Sequence, residues 1–371
     1  MPDYRSSPNP TVFNARLVGR VEGCTNPESC DLLPDGETFV FGNCTLMVGH
    51  PAYRAGQGIV YLDKQAFISR GRIGFEGEVA LTDRQLITGL TATLGLDVLR
   101  RGTASFPAGT VFICEGANPT TRPGEQVLVD VTRLRPRAFA FDPIAGKAIG
   151  EIGLHSDSPI GRAFNAFDQP NGMAIDGHGN LYVGDIPNGN PDAPLPPPTP
   201  PGVYRIPHEA LDALAAGDDA AARSVRRLDM EGFVNGLAAS PIEDVVWAVS
   251  CHPGHDPVNG GLYRLTPDDF ERNRLPPPVL RDLGILDGVG VTRRGTLLVS
   301  TPVTGDVHAF TADGRHLLVR VEGENVVRMP ADFNVCHPKA LHGEPALLVT
   351  DISVGFSPGD ASVAVIEISG L

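Results

Sequence analysis

Five passages of the chain open on an oxygen-bearing side chain and lead toward a short apolar run: Glu28, Asn171, Asn235, Asp287 and Asn334. The spacing from opener to run is 10 to 12 residues in every case: 28 to 39, 171 to 181, 235 to 246, 287 to 297 and 334 to 346. Two carboxylates with two or three amide oxygens around one point would make a hard, all-oxygen site. Such a site suits Ca2+, with water completing the shell. Mg2+ and Mn2+ accept the same donors, whereas Zn2+ ordinarily recruits His or Cys, although an open site admits it. A single Asn-Gly or Asp-Gly pair reads as turn chemistry. Recurrence at equivalent places of a repeat points instead to convergence on a shared axis, with Asn334 left open as a fifth member.

The elements that would bring these residues together are themselves repeated. Asn171-Gly-Met-Ala-Ile-Asp leads to Leu181-Tyr-Val and then Gly202-Val-Tyr-Arg-Ile206; Asn235-Gly-Leu-Ala-Ala leads to Val245-Val-Trp-Ala-Val249 and then Gly261-Leu-Tyr-Arg-Leu265. Asp287-Gly-Val-Gly-Val leads to Thr296–Ser300 and Asp306–Phe310, and the passage from Asn334 leads to Ala346–Thr350 and Ser362–Ile368. Short β-branched runs bounded by Gly, Asp and Pro predict strands. Starts separated by 64, 52 and 47 residues fit a four-stranded propeller blade of about 40–50 residues plus insertions. Two earlier blades complete the ring. One holds Glu28, Thr38–Phe41 and a third strand at Gly58–Leu62; the other spans about 91–153 with Thr110–Cys114 and Ala138–Phe141 inside it. The reading is an all-β, six-bladed propeller over 1–371 as a single domain. The N-terminal Val12–Gly19 closes the last blade and removes exposed sheet edges. An insertion at about 187–225 holds a Pro-rich loop (Pro191–Pro201) and a short amphipathic helix at His208–Ala222.

Composition agrees with this reading. Forty-three Gly and 34 Pro in 371 residues, with 42% hydrophobic residues, are too apolar for disorder and too rich in breakers for long helices. The net charge of −14, without a basic run, argues against nucleic acid or anionic membrane as partner and leaves a small-molecule substrate. The N-terminus lacks the apolar core of a signal peptide, so a cytoplasmic protein is expected. Cys24, Cys30, Cys44, Cys114, Cys251 and Cys336 form no CxxC pair and are expected as buried, reduced thiols.

Glu28 before a Pro-Asp-Gly turn, Gln169-Pro-Asn-Gly-Met-Ala-Ile-Asp, Val234-Asn-Gly-Leu-Ala-Ala-Ser-Pro and Leu286-Asp-Gly-Val-Gly-Val together resemble the SMP-30/gluconolactonase/LRE-like family. Its relatives include the paraoxonase and diisopropyl-fluorophosphatase propellers. The resemblance implies a six-bladed propeller with an axial Ca2+ or other divalent cation, held here by Glu28, Asn171, Asn235 and Asp287. It also implies hydrolysis of a lactone or related ester. Sugar-lactonase members often carry Arg two positions before the first Asn and Asp directly after it. Here those positions are Gln169 and Gly172, so the sugar contacts are not carried over.

Within that framework Asp287 is the expected general base, although a neighbouring cation would lower its pKa and weaken it. Glu115, after the strand Thr110–Cys114, and His252, after Val245–Val249, are further candidates for the pocket rim. His337, just after Asn334, is another. His252 and His255 at i, i+3 also fit a zinc pair, against the alternative of solvent-exposed loop histidines. No GxSxG elbow, P-loop, HExxH or strand-linked GxGxxG occurs, which argues against serine hydrolase, NTPase, zincin and dinucleotide chemistry. A lyase or isomerase using the same cation, and a non-catalytic propeller stiffened by it, are the competing readings.

Overall fold

Short runs of β-branched and aromatic residues, interrupted by Gly, Pro and Asp, favour strands that end quickly and turn back. The computed structural model, which describes residues 4–44, 64–116, 135–164, 169–185, 200–251, 261–321, 327–353 and 360–371, is built from them. One strand, β1 (Thr11–Glu22), precedes six meanders. Blade one is β2 (Pro27–Leu32), β3 (Thr38–Asn43), β4 (Ala66–Ile73) and β5 (Val79–Leu90). Blade two is β6 (Thr93–Val98), β7 (Val111–Glu115), β8 (Arg137–Asp142) and β9 (Lys147–Gly153). Blade three is β10 (Pro170–Ile175), β11 (Leu181–Asp185), β12 (Gly202–Ile206) and β13 (Arg226–Asp229). Blade four is β14 (Phe233–Ala239), β15 (Val246–Cys251), β16 (Gly261–Leu265) and β17 (Leu280–Arg281). Blade five is β18 (Val289–Val291), β19 (Leu297–Thr301), β20 (Asp306–Phe310) and β21 (His316–Val321). Blade six holds β22 (Pro330–Cys336), β23 (Ala346–Asp351) and β24 (Ser362–Glu367).

Strand β1 supplies the fourth strand of blade six, as expected. Its second half, Arg16–Glu22, pairs antiparallel with β24, while Thr11–Ala15 runs parallel to β21 of blade five. Blades five and six therefore share one eight-stranded sheet beside four sheets of four. The end of the chain is locked to its beginning, and the outer edges of blades five and six are both covered by β1.

The core is distributed between blades. Six hydrophobic clusters occur among the described residues, and each joins one blade to the next. Ile68 and Val40 meet Val111 and Ile113 across blades one and two, while Trp247 and Val249 meet Val289 and Phe310 across four and five. Phe39 and Phe41 meet Leu348 and Val365 across one and six, closing the ring. Burial on both faces explains why the second strands β3, β7, β11, β15, β19 and β23 read as nearly unbroken apolar runs.

Three expectations need correction or placement. Gly58–Leu62 lies outside the described residues, and the strand that pairs with β3 is Ala66–Ile73. Blade six begins at Pro330 rather than Asn334. The segment after β12 forms a 3-10 turn at His208–Ala210, a helix at Leu211–Ala215 and a second 3-10 turn at Ala221–Ser224. Its Leu211 and Leu214 pack into the cluster of blades two and three, and Asp212 accepts hydrogen bonds from Ala104 and Ser105 backbone N–H groups at 3.1 and 3.0 Å. Residues 186–199 of the Pro-rich insertion lie outside the described residues. All six cysteines are free and buried. No helix among the described residues is long and apolar enough to cross a membrane.

Candidate functional site

The innermost strands share a local irregularity that positions the openers. In β2, Pro27 pairs with Asn43 and Cys30 with Phe41, so Glu28 and Ser29 together face a single residue of β3. The same two-against-one bulge holds Leu94 and Gly95 in β6, Asn171 and Gly172 in β10, and Ala331 and Asp332 in β22. In β14 the extra residue is Asn235. Asp287 stands at the entry to β18, where its N–H reaches Ser300 O at 3.2 Å. A bulge re-aims side chains at a strand end. Here it does so at one level in five blades, and Asp287 holds the corresponding place in blade five.

The glycine after Asn171, Asn235 and Asp287 has a packing cause rather than a turn cause. A Cβ on Gly172 would lie 2.8 Å from Asn235 O, one on Gly236 2.1 Å from Asp287 O, and one on Gly288 2.7 Å from Ala331 O. Gly95 stands in the same relation to Asn171 O, at 2.3 Å. The inner strands of blades two to five thus nest against the bulge-level carbonyl of the next blade, and there only a residue without a side chain permits that approach. Hydrogen bonds continue the ring. Asn171 Nδ2 donates to Asn235 Oδ1 at 3.3 Å, and Asn235 Nδ2 donates to Leu286 O at 3.0 Å. Asn171 Oδ1 accepts no hydrogen bond among the described residues.

The structure therefore brings Glu28, Asn171, Asn235 and Asp287 to equivalent positions of blades one, three, four and five. Blades two and six place Leu94 and Ala331 there. Asn334 is not the opener of blade six; it pairs with Leu348 farther along β22 and lines a cavity below the ring. The acid that sequence reasoning missed is Asp332, the second residue of that blade's bulge, whose Oδ2 accepts from Ser29 Oγ at 2.9 Å. Aligning Pro330-Ala-Asp-Phe with Pro27-Glu-Ser-Cys and Pro170-Asn-Gly-Met would have found it.

Three carboxyls in this small space, Glu28, Asp287 and Asp332, have no counter-charge beside them among the described residues. Burial, reinforced by Asp287 and Asp332, holds Glu28 well above the usual carboxylate range. Burial lifts Asp287 to about 7, and burial with the neighbouring Asp287 lifts Asp332 to about 8. None of the three is ion-paired to Lys, Arg or His among the described residues. Confined carboxyls of this kind are neutralised by protons or by a cation. Among the described residues no three His, Cys, Asp or Glu side chains form a ready cation cluster. The converging set mixes carboxylates with amides, a donor chemistry suited to a hard cation.

The remaining candidates lie elsewhere. Glu115, at the end of β7, accepts from Thr91 N–H at 2.7 Å and from Arg137 Nε at 2.7 Å. Residues at the same place in other blades act alike. Asn43 Oδ1 accepts from Thr25 N–H at 2.9 Å, Asp185 Oδ1 from Gln169 N–H at 3.2 Å, and Asp351 Oδ2 from Arg328 N–H at 2.8 Å. Each ties down the backbone that leads into its inner strand. Glu115→Gln is accordingly expected to lower unfolding free energy by about 2–4 kcal/mol in a denaturant titration, since a buried charge pair loses one member. His337 follows the far end of β22 and its Nδ1 meets Gly343 O at 2.9 Å. Five residues of extended chain, about 16 Å, separate it from Asp332. His252 and His255 lie outside the described residues.

No protein-family model matches this chain, and no curated protein matches it. Solved structures do. A protein described as a gluconolactonase is similar with a TM-score of 0.53 at 15% identity, over 99% of this chain and 95% of that one. A luciferin-regenerating enzyme gives 0.52 at 12% identity, over 95% and 93%. A gluconolactonase of Xanthomonas campestris, described as important in glucose secondary metabolic pathways, gives 0.50 at 15% identity, over 98% and 99%. The chain has the β-propeller fold of these gluconolactonase and luciferin-regenerating enzyme structures.

Proposed function

We propose that this protein is a metal-dependent hydrolase of the lactonase type, acting on a lactone or related ester. The observation that carries the proposal is the recurrence of Glu28, Asn171, Asn235 and Asp287 at one level of four blades, with the two carboxyls ion-paired to no Lys, Arg or His among the described residues. These four side chains would hold one divalent cation, Ca2+ fitting the donor set best and Mg2+, Mn2+ or Zn2+ being the alternatives to compare. When bound, the cation would polarise the scissile carbonyl and stabilise the oxyanion that develops. Asn235 is pre-aimed by its bond to Leu286 O, and Asn171 by its bond to Asn235, so little ordering remains to be done on binding. Asp287, partly accessible at the strand entry, is the carboxylate that would take a proton from attacking water. The gluconolactonase likeness supports the reaction class.

A pH-indicator assay across a lactone and ester panel tests this. Acid release that stops on chelation and returns with Ca2+ or Mn2+ is expected. Turnover indifferent to chelator would remove the cation from the proposal, and inertness toward the whole panel would remove the hydrolase.

Cation binding also has a pH signature. Asp287 and Asp332 have folded pKa values of about 7 and about 8 against 3.8 for an unperturbed Asp. The folded state therefore binds more protons than the unfolded state between those limits. Stability of the metal-free protein should fall as pH rises from about 4 to about 8. Calcium chloride is expected to raise the melting temperature more at pH 8 than at pH 5. Equal shifts at both pH values would contradict the assignment.

A further inference from the structure

A cavity of about 520 Å³ runs along the inner strands from Asp332 at the bulge level to their far ends, where Asn334 and His337 line it. Arg100 and Arg293, at the hairpin turns of blades two and five, also line it. Blades two and five stand opposite each other in a ring of six. Neither arginine makes a hydrogen bond or a close ion pair among the described residues, although the Arg100 charge lies near enough to the buried Asp31 and Asp97 carboxyls to offset part of the burial that raises them. The acids that line this cavity accept hydrogen bonds from neighbouring protein donors. Asp97 accepts from Val98 and Ile175 N–H at 2.6 Å each, and Asp176 accepts from His178 and Asn180 N–H at 2.9 Å and from Tyr182 OH at 3.1 Å. Asp332 is bonded to Ser29.

Arg100 is at the same time a wall of a second cavity, about 430 Å³, that runs outward between blades one and two. Leu33, Pro34, Ala108, Pro143 and Ile144 make that groove apolar. Ile144 is 62% exposed, one of few large apolar side chains so presented. Its position is built rather than incidental. Arg70 Nη1 donates to Pro143 O and Ile144 O at 2.9 and 2.8 Å, and Arg70 itself is ion-paired to Asp83 of the neighbouring β5 strand. The acid on the groove's rim, Asp35, is turned to Thr38 and the Glu37 N–H.

We infer that this end of the propeller is a second ligand site, for an aliphatic carboxylate whose head group meets Arg100 and whose chain lies along Leu33, Pro34 and Ile144. A guanidinium with free donors recognises a carboxylate in two-point geometry. The adjoining apolar groove supplies the contact that distinguishes a long chain from a short one. Arg293 adds positive potential at the same mouth and draws the anion in. None of Glu28, Asn171, Asn235 or Asp287 takes part, so the inference goes beyond the lactonase reading and stands apart from its fate.

Isothermal titration of the full chain with sodium decanoate, kept below its micelle concentration, tests the site. Saturable binding of one decanoate per chain is expected, with acetate and decanol each about tenfold or more weaker. Arg100→Gln should weaken decanoate by about tenfold or more, the loss of a charge-assisted contact. Because Arg100 also faces the buried Asp31 and Asp97 carboxyls, Ile144→Asp on the exposed hairpin provides a variant free of that complication. It should weaken decanoate to a similar degree. Asp287→Ala should leave decanoate binding unchanged. Binding that survives both Arg100→Gln and Ile144→Asp, binding lost in Asp287→Ala instead, or no saturable binding at all would each overturn the inference.

Discussion

Replacing Asp287 by Ala is expected to lower ester or lactone turnover about a thousandfold or more, the scale of losing a group that acts on the developing charge. It should simultaneously abolish the stabilisation given by added Ca2+. The fold should survive, and in the metal-free state at pH 8 the variant should melt above the parent protein. Asp287 is held at about 7 by burial and raises the proton affinity of Glu28 and Asp332. A group whose folded pKa lies above its unfolded value costs stability once the pH exceeds the unfolded pKa, and deleting it returns that cost. Opposite signs in activity and in metal-free stability separate a functional carboxylate from a structural one. Parallel losses of both would mean that Asp287 holds the fold rather than the chemistry. Steady-state assays and melting curves with and without chelator read the two effects.

Gly236→Ala is expected to be the most damaging single methyl in the molecule's centre, costing about 3 kcal/mol or more. The added carbon would lie 2.1 Å from the carbonyl oxygen of Asp287 and 3.0 Å from Val249 Cγ2. The first of these is backbone of the next blade and cannot rotate away. Relief requires blades four and five to move apart, which disturbs the packing of Trp247 and Val249 on Val289 and shifts Asp287 relative to Asn235. Loss of cation-induced stabilisation should therefore accompany the fall in denaturation midpoint. Gly177→Ala is the control: no atom lies within 4 Å of the added carbon and no positive φ is required, so its effect should stay within about 0.5 kcal/mol. Similar midpoints for the two variants would show that the nested inner strands are not held as tightly as the geometry implies.

Much of this architecture is legible in the residues because a propeller repeats its local demands. Asn171-Gly172, Asn235-Gly236 and Asp287-Gly288 each combine an oxygen donor with the glycine that the next blade's carbonyl requires. That paired constraint makes the openers of blades three, four and five readable, and the β-branched second strands, buried on both faces, mark the frame after them. Blade six escapes because its bulge carries Ala331 and Asp332, without the Asn-Gly or Asp-Gly signature. Asn334, a regularly paired strand residue, stands near enough to be mistaken for it. Blade two is silent for the same reason, with Leu94 where the donors stand. Glu115 illustrates another limit. A carboxylate at the end of a second strand looks the same in sequence whether it faces substrate or accepts from Thr91 N–H. Only three-dimensional repetition, in Asn43, Asp185 and Asp351, exposes the strapping pattern. His337 could not be placed by its nearness to Asn334, since a strand's two ends open on opposite faces of the ring.

The claim beneath the functional proposal is that distant donors share one cation. Crystals soaked in Mn2+ and measured at its absorption edge test it directly. The expected result is one anomalous peak on the axis, about 2.1–2.5 Å from oxygens of Glu28, Asn171, Asn235 and Asp287. A peak that sits elsewhere, or no peak at a Mn2+ concentration that saturates thermal stabilisation, would contradict it.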